Sequence, residues 1–217
     1  MANQPCITNS QGREGEIRRR GYRMRRRAEH VDETRRRITQ AAVKLHTTVG
    51  PSRASIAAIA KEAGVTRLTV YRHFADPDAL FTACMNHWES CHPAPDPTAW
   101  TTIGDLEGRA RVGLRALYAW YQEVADDLMP IHRDLDHLTE RARARVAASE
   151  AALAATIAGE TAETPRGRLI RAVAAHLVRF ETWRSLVVDQ GLSLDEAVET
   201  GTSWLVAVAG STAARRT

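Results

Sequence analysis

Arg67, Leu68, Thr69, Tyr71, Arg72 and His73 stand together in the stretch 66 to 74, interleaved with Val70 and Phe74 four residues apart. Wound as a helix, that spacing turns Val70 and Phe74 to one side and leaves the other six outside. The outer set has the chemistry of a duplex groove. Arg67 can pair twice with a guanine edge or once with a phosphate, and Leu68 and Thr69 can meet a thymine methyl. Tyr71, His73 and the helix end at Thr66 suit phosphate oxygens, and Arg72 is a further DNA-contacting candidate on the same face. The competing reading is an amphipathic helix with a solvated polar face.

The elements that must position this helix can be read on either side of it. Ile56, Ile59, Ala60 and Ala63 recur at i, i+3, i+4 and i+7, with Ser55 placed to cap them. Gly64 then supplies a left-handed residue and Thr66 a second cap, so the spacing predicts a helix-turn-helix over residues 55 to 74. A preceding helix carries Ile38, Ala41, Ala42 and Leu45 and stops at Gly50.

This pattern resembles the TetR family of regulators. Before the motif, Arg36, Ile38, Ala41, Ala42, Leu45 and Gly50 fall in step with that family, with His46 where an aromatic is usual. Within it Ile56, Ile59, Ala60, Ala63, Gly64, Val65, Thr66, Val70, Tyr71, His73 and Phe74 match, and a short acidic turn leads to Ala79, Leu80 and Phe81. The resemblance covers residues 33 to 85. It implies an all-α, TetR-like chain in which a three-helix DNA-binding domain is followed by a larger helical domain for ligand binding and dimerisation. One departure is Pro77, flanked by Asp76 and Asp78, where the family often carries a phosphate-binding lysine.

Charge is divided to match. Residues 1 to 76 hold 16 Lys and Arg against 7 Asp and Glu, whereas residues 77 to 217 hold 14 against 19. A basic reader joined to an acidic body is expected of a nucleic-acid-binding chain. Eight arginines between Arg13 and Arg27, among them Arg23, Arg25, Arg26 and Arg27, have no apolar period. Residues 1 to 31 are therefore expected to be a disordered arm that lies on phosphates or in a minor groove. Residues 32 to 77 then form the DNA-binding domain and residues 78 to 217 the regulatory and dimerisation domain.

In the second half, helices are predicted over 78–91, over 104–128 up to Pro130, over 138–158, from Thr164 to Gln190, and after a Ser193 to Glu196 capping box. The last two are apolar so far around that a partner is expected to cover them. The resemblance implies a homodimer through Leu177, Phe180, Val187, Leu194, Val198, Gly201, Leu205 and Val208, presenting two recognition helices to a pseudo-palindromic operator. Trp88, Tyr118, Tyr121, Met129, His132, His176 and Trp183 are candidates to line a site for a small apolar or aromatic effector, whose binding would release a repressor from DNA.

Cys84, His87 and Cys91 share one helical face, so a metal- or thiol-responsive regulator is an alternative, as is a non-specific architectural DNA-binding protein. No phosphate loop, nucleophile elbow or metalloprotease pattern is present, so neither an enzyme nor a bound cofactor is expected. The first 30 residues lack an apolar core and no run approaches a membrane span, which with 3 cysteines makes the cytoplasm the expected place.

Overall fold

A computed structural model of the chain describes residues 10–161 and 164–210, with side chains from residue 22 onward except that of Arg23. All regular structure among these residues is helical. None of these helices is long and apolar enough to cross a membrane.

Helix α1 spans Ser10–Thr48, and its packed half begins where Thr34, Ile38, Ala41 and Ala42 fall on one stripe and become buried. Upstream, Tyr22 and residues 24–33 are exposed, as the missing apolar period requires, yet the backbone is helical and not the expected disordered arm. Arg, Glu, Met and Ala are strong helix formers, so a helix nucleated by the packed half propagates back through them without tertiary support. No break in the backbone falls at residue 32, and residues 1–9 of the expected arm lie outside the described residues.

Helices α2 (Ile56–Glu62) and α3 (Arg67–His73) begin at the expected caps. The Ser55 hydroxyl accepts from the Ala58 amide at 3.2 Å and the Thr66 hydroxyl from the Thr69 amide at 3.2 Å. Gly64, at φ 63°, makes the turn between them. Helix α4 (Pro77–Cys91) has Pro77 in its first turn and Asp76 as its cap, 2.7 Å from the Ala79 amide. Ile38, Ile59, Val70, Phe74, Leu80 and Cys84 form the small core that these four helices share.

The larger body is built on α5 (Leu106–Arg133), with α6 (Glu140–Ala158), α7 (Pro165–Leu177) and α9 (Leu194–Gly210) packed around it. Contrary to expectation, α5 runs through Pro130. A proline this close to a helix end forfeits a single amide bond, and Ile131 and the half-buried His132 extend the packed stretch. The chain turns through a 3₁₀ segment at Leu135–His137 before Thr139 caps α6.

The helix expected from Thr164 to Gln190 is broken in two. After α7 the chain bends at Val178 and Arg179, then resumes as α8 (Phe180–Trp183) and a wider π turn at Arg184–Asp189. The carbonyls released at the break, those of the buried Leu177 and Val178 among them, need donors. Tyr118 Oη donates to the Leu177 carbonyl at 2.9 Å, Tyr121 Oη to the Val178 carbonyl at 2.7 Å, and Thr182 Oγ1 to the His176 carbonyl at 2.5 Å. No local sequence signal announces this, because the tyrosines lie nearly 60 residues upstream.

The expected dimer face is corrected by burial. Leu177, Phe180, Val198, Gly201 and Leu205 are covered inside one protomer, and Val187, Leu194 and Val208 are half-buried on the same core. Gly201 is small to admit α5 and α7 and not a second chain: a Cβ there would sit 3.0 Å from both Leu114 Cδ1 and Leu177 Cδ2. The large apolar side chains that stay exposed on these elements are Leu169 on α7, Val188 after α8, and Trp204 and Val206 on α9. The all-round apolar character of α9 thus reflects an inner face against α5 and an outer strip around Trp204.

Because both tyrosine hydroxyls serve buried backbone carbonyls at the break, their loss is expected to register as stability. Tyr121→Phe should cost about 1–3 kcal/mol in urea unfolding. An unchanged midpoint and slope would show that the break does not depend on the hydroxyl.

Candidate nucleic-acid interface and the cavity behind it

Helix α3 holds on by two residues and presents the rest. Val70 and Phe74 are 1% and 2% exposed, while Leu68 and Tyr71 are 69% and 55% exposed. Arg67 and Arg72 are exposed beside them, Thr66 and Ser55 lie at the two helix starts, and Thr69 and His73 are half-buried. The hydroxyls of Thr66 and Thr69 are 2.9 Å apart and hydrogen-bonded, so each helps hold the other on the helix end.

The expected DNA-contacting residues Thr66, Arg67, Leu68, Thr69, Tyr71, Arg72 and His73 therefore share one short helix and its cap, with Ser55 on the preceding one. Two arginines of α1, not foreseen from the sequence, fasten this unit from behind. Arg35 Nη1 donates to the His73 carbonyl while its guanidinium lies 4.2 Å over the Phe74 ring. Arg37 Nη2 donates to the Ala63 carbonyl at the turn. Their places beside Ile38 on α1 are the signal that could have found them, since flanking positions of a packed stripe can reach the adjoining helix ends. Burial, and then the charges of Arg35 and Arg72, hold the His73 imidazole below its usual pKa.

The α1 extension adds Arg25, Arg26 and Arg27, all exposed, with the Arg26 guanidinium 5.8 Å from the Tyr22 ring centroid. The side chain of Arg23 lies outside the described residues. From Ser10 to Thr34 the helix rises about 36 Å, close to one turn of a DNA duplex. At the start of α4, Asp78 is engaged by the Thr139 hydroxyl of α6.

Between the reader and the body lies a second tie. Asp134, at the end of α5, accepts from the Ser52 amide at 3.1 Å, from the Ser52 hydroxyl at 2.5 Å and from Arg133 Nε at 2.8 Å. Arg133 Nη2 in turn donates to the Val49 carbonyl at 2.9 Å. The Arg133 guanidinium, with Ser52, holds the Asp134 carboxyl far below the usual carboxylate range. Gly50 lies against it at φ 90°, where a Cβ would collide with Asp134 Oδ2.

Behind the small core, helices α1, α4, α5 and α6 line a partly open cavity of about 500 Å³. Of the expected ligand residues, Trp88, Tyr121 and His132 line it. Tyr118 and Trp183 are buried elsewhere in the core, Met129 is half-buried against that core, and His176 is exposed. Tyr118 is drawn away by the Leu177 carbonyl, and His176 falls on the outer face of α7. Residues not foreseen include Phe81, Trp120, Glu89, Arg145 and Glu150. Trp88 Nε1 donates to Asp127 at 2.7 Å, and the Trp88 and Trp120 rings meet edge to face at 5.9 Å. His132 Nδ1 pairs with Glu181 at 2.8 Å, which pulls the Glu181 carboxyl down to about 2.

The Cys84, His87 and Cys91 alternative does not assemble. Cys84 is buried with its thiol 3.9 Å from the Thr39 carbonyl, and burial pushes its pKa up to about 12. Cys91 is exposed at the far end of α4, and among the described residues no three His, Cys, Asp or Glu side chains are placed to hold a metal ion. A buried, protonated thiol is a poor nucleophile and a poor ligand.

Residues 38–84 match the family profile described as bacterial regulatory proteins, tetR family. The HTH-type transcriptional regulator AcrR of Shigella flexneri is 41% identical over 83 residues, which are 38% of this chain and 34% of that protein. The match thus spans about a third of the length of that curated relative. The crystal structure of the multidrug binding protein EbrR complexed with imidazole shares the fold, with a TM-score of 0.52 at 23% identity over 79% of this chain and 89% of that one. Over residues 38–84 the chain thus carries a helix-turn-helix domain of the tetR family of bacterial regulatory proteins, and its helical body shares a fold with EbrR.

Proposed function

We propose that the chain is a sequence-specific DNA-binding regulator of transcription, a repressor that a small apolar or aromatic effector releases from a pseudo-palindromic operator. The observation that carries this reading is the division of α3 into an anchored inner face and an exposed face of Arg67, Leu68, Tyr71 and Arg72. The relative AcrR is named a transcriptional regulator and the fold neighbour EbrR a multidrug binding protein. The aromatic cavity supports the effector half of the reading.

On this reading residues 32 to 77 read DNA, residues 78 to 217 bind effector and a second copy, and the α1 extension grips phosphate through Arg23, Arg25, Arg26 and Arg27. A rigid basic helix takes the place of a flexible arm, and it supplies cations that Pro77 cannot. The homodimer forms through the exposed side chains left on α7 and α9, Trp204 foremost among them, and the protein works in the cytoplasm without cofactor.

Release follows from the tie at the end of α5. Leu128, Ile131 and His132 line the cavity, and two residues further on Asp134 grips Ser52, just ahead of α2. An effector that shifts the last turns of α5 pulls on the reader through this tie. Coupling requires only that the effector prefer one of two arrangements.

Binding to a recovered operator and to random duplex tests the reading. Arg67→Ala should relax discrimination at particular base pairs by about 1–3 kcal/mol, whereas Tyr71→Phe should weaken every sequence alike. Uniform loss in both variants, or an operator-to-random ratio near one, would sink sequence-specific reading. Removing residues 1 to 28 should flatten the salt dependence by about one unit of slope for each phosphate that the shortened chain no longer neutralises; an unchanged slope would retire the extension as a DNA-binding element. For the tie, Asp134→Ala should speed amide exchange across residues 52 to 60 more than elsewhere. Unchanged local protection would contradict it.

A further inference from the structure

The cavity carries an unbalanced charge. Among the polar groups that line it, Glu89 and Arg145 neutralise one another across 2.9 Å, and His132 is bonded to Glu181. His92 is held through Nδ1, 3.1 Å from the Trp88 carbonyl, with its ring stacked on Trp88 at 4.8 Å. Burial keeps the His46 imidazole below its usual pKa. Glu150 is left over: it is half-buried on α6, lines the cavity, and makes no hydrogen bond or ion pair among the described residues. Arg179, the cation nearest in influence, is already paired with Glu181 at 3.4 Å.

Around that carboxyl the walls are aromatic. Trp88, Trp120 and Tyr121 line the same space, with Trp120 5.3 Å from Tyr121 by ring centroids. Ring faces attract cations, and more strongly where water is excluded. A half-buried carboxylate without a partner is costly until a cation arrives to neutralise it. The Trp120 indole N–H is also buried without an acceptor among the described residues.

From these groups we infer that the effector is a flat aromatic cation, seated against Trp88, Trp120 and Tyr121 with Glu150 as its counter-ion. The inference rests on the reading of this cavity as the effector site and adds the sign of the ligand's charge. A volume of about 500 Å³ accommodates a molecule of two to four fused rings. Burial already raises the Glu150 carboxyl above its usual pKa, the direction a cation would reverse.

The test compares three probes of one shape at pH 8 by quenching of tryptophan fluorescence: N-methylacridinium, neutral acridine and anionic acridine-9-carboxylate. The cation should bind about tenfold or more tightly than acridine, and the anion most weakly. Glu150→Gln should abolish the cation's advantage while acridine affinity stays within about twofold, which also certifies that the variant cavity is folded. Glu150→Asp should keep part of the advantage. Equal affinity for cation and neutral probe, or an advantage that survives Glu150→Gln, would overturn the inference and leave the effector site standing. Binding of none of the three would overturn both. Glu150-dependent cation binding that leaves operator affinity unchanged would uphold the cation site and refute its regulatory role.

Discussion

A helix of seven residues does not persist in water by itself, so α3 exists only because something grips it. The grip is Val70 and Phe74, set into the core of Ile38, Ile59 and Leu80, with Arg35 and Arg37 bracing the two ends through backbone carbonyls. Any reading of DNA by this chain depends on that constraint. Residues committed inward cannot read bases, and those left outside are held within a fixed arc, which a groove requires of them. The long α1 is the part that lets a small domain hold so short a reader.

Helix α5 plays the corresponding part in the body. On one side Tyr118 and Tyr121 donate to the carbonyls where α7 ends, which closes the core toward α7 and α9. Elsewhere along its length Trp120, Tyr121, Leu128 and His132 line the cavity, and at its end Asp134 holds Ser52. One rigid element thus touches the sealed core, the open cavity and the segment that leads into the reader. On the proposed function, that continuity is the mechanical route from an effector in the cavity to α2 and α3.

How much of this was legible depended on sequence distance. Caps at Ser55 and Thr66, the turn at Gly64 and the inward pair Val70 and Phe74 are set by contacts a few residues apart, and each stands where spacing placed it. The body was harder. Leu177 and Leu205 read as a face awaiting a partner because periodicity reports that a helix is covered and not by what. Tyr118 and Trp183 read as ligand residues for the same reason, and only the tertiary fold separates them from Trp88, Tyr121 and His132. The break after α7 and the tie from Asp134 to Ser52, 82 residues apart, left no local trace at all. The helical extension of α1 was missed because lack of an apolar stripe argues against packing, not against a helix.

On the proposed function, α3 reads a defined sequence as one of a symmetric pair. Repeated selection of bound duplexes from a random pool at moderate salt measures this directly. Two inverted half-sites, with centres about 34–36 Å apart along the duplex, are the expected outcome. A pool that stays random while binding remains tight would refute sequence reading by α3, and would leave a basic helix bundle that holds DNA by charge alone.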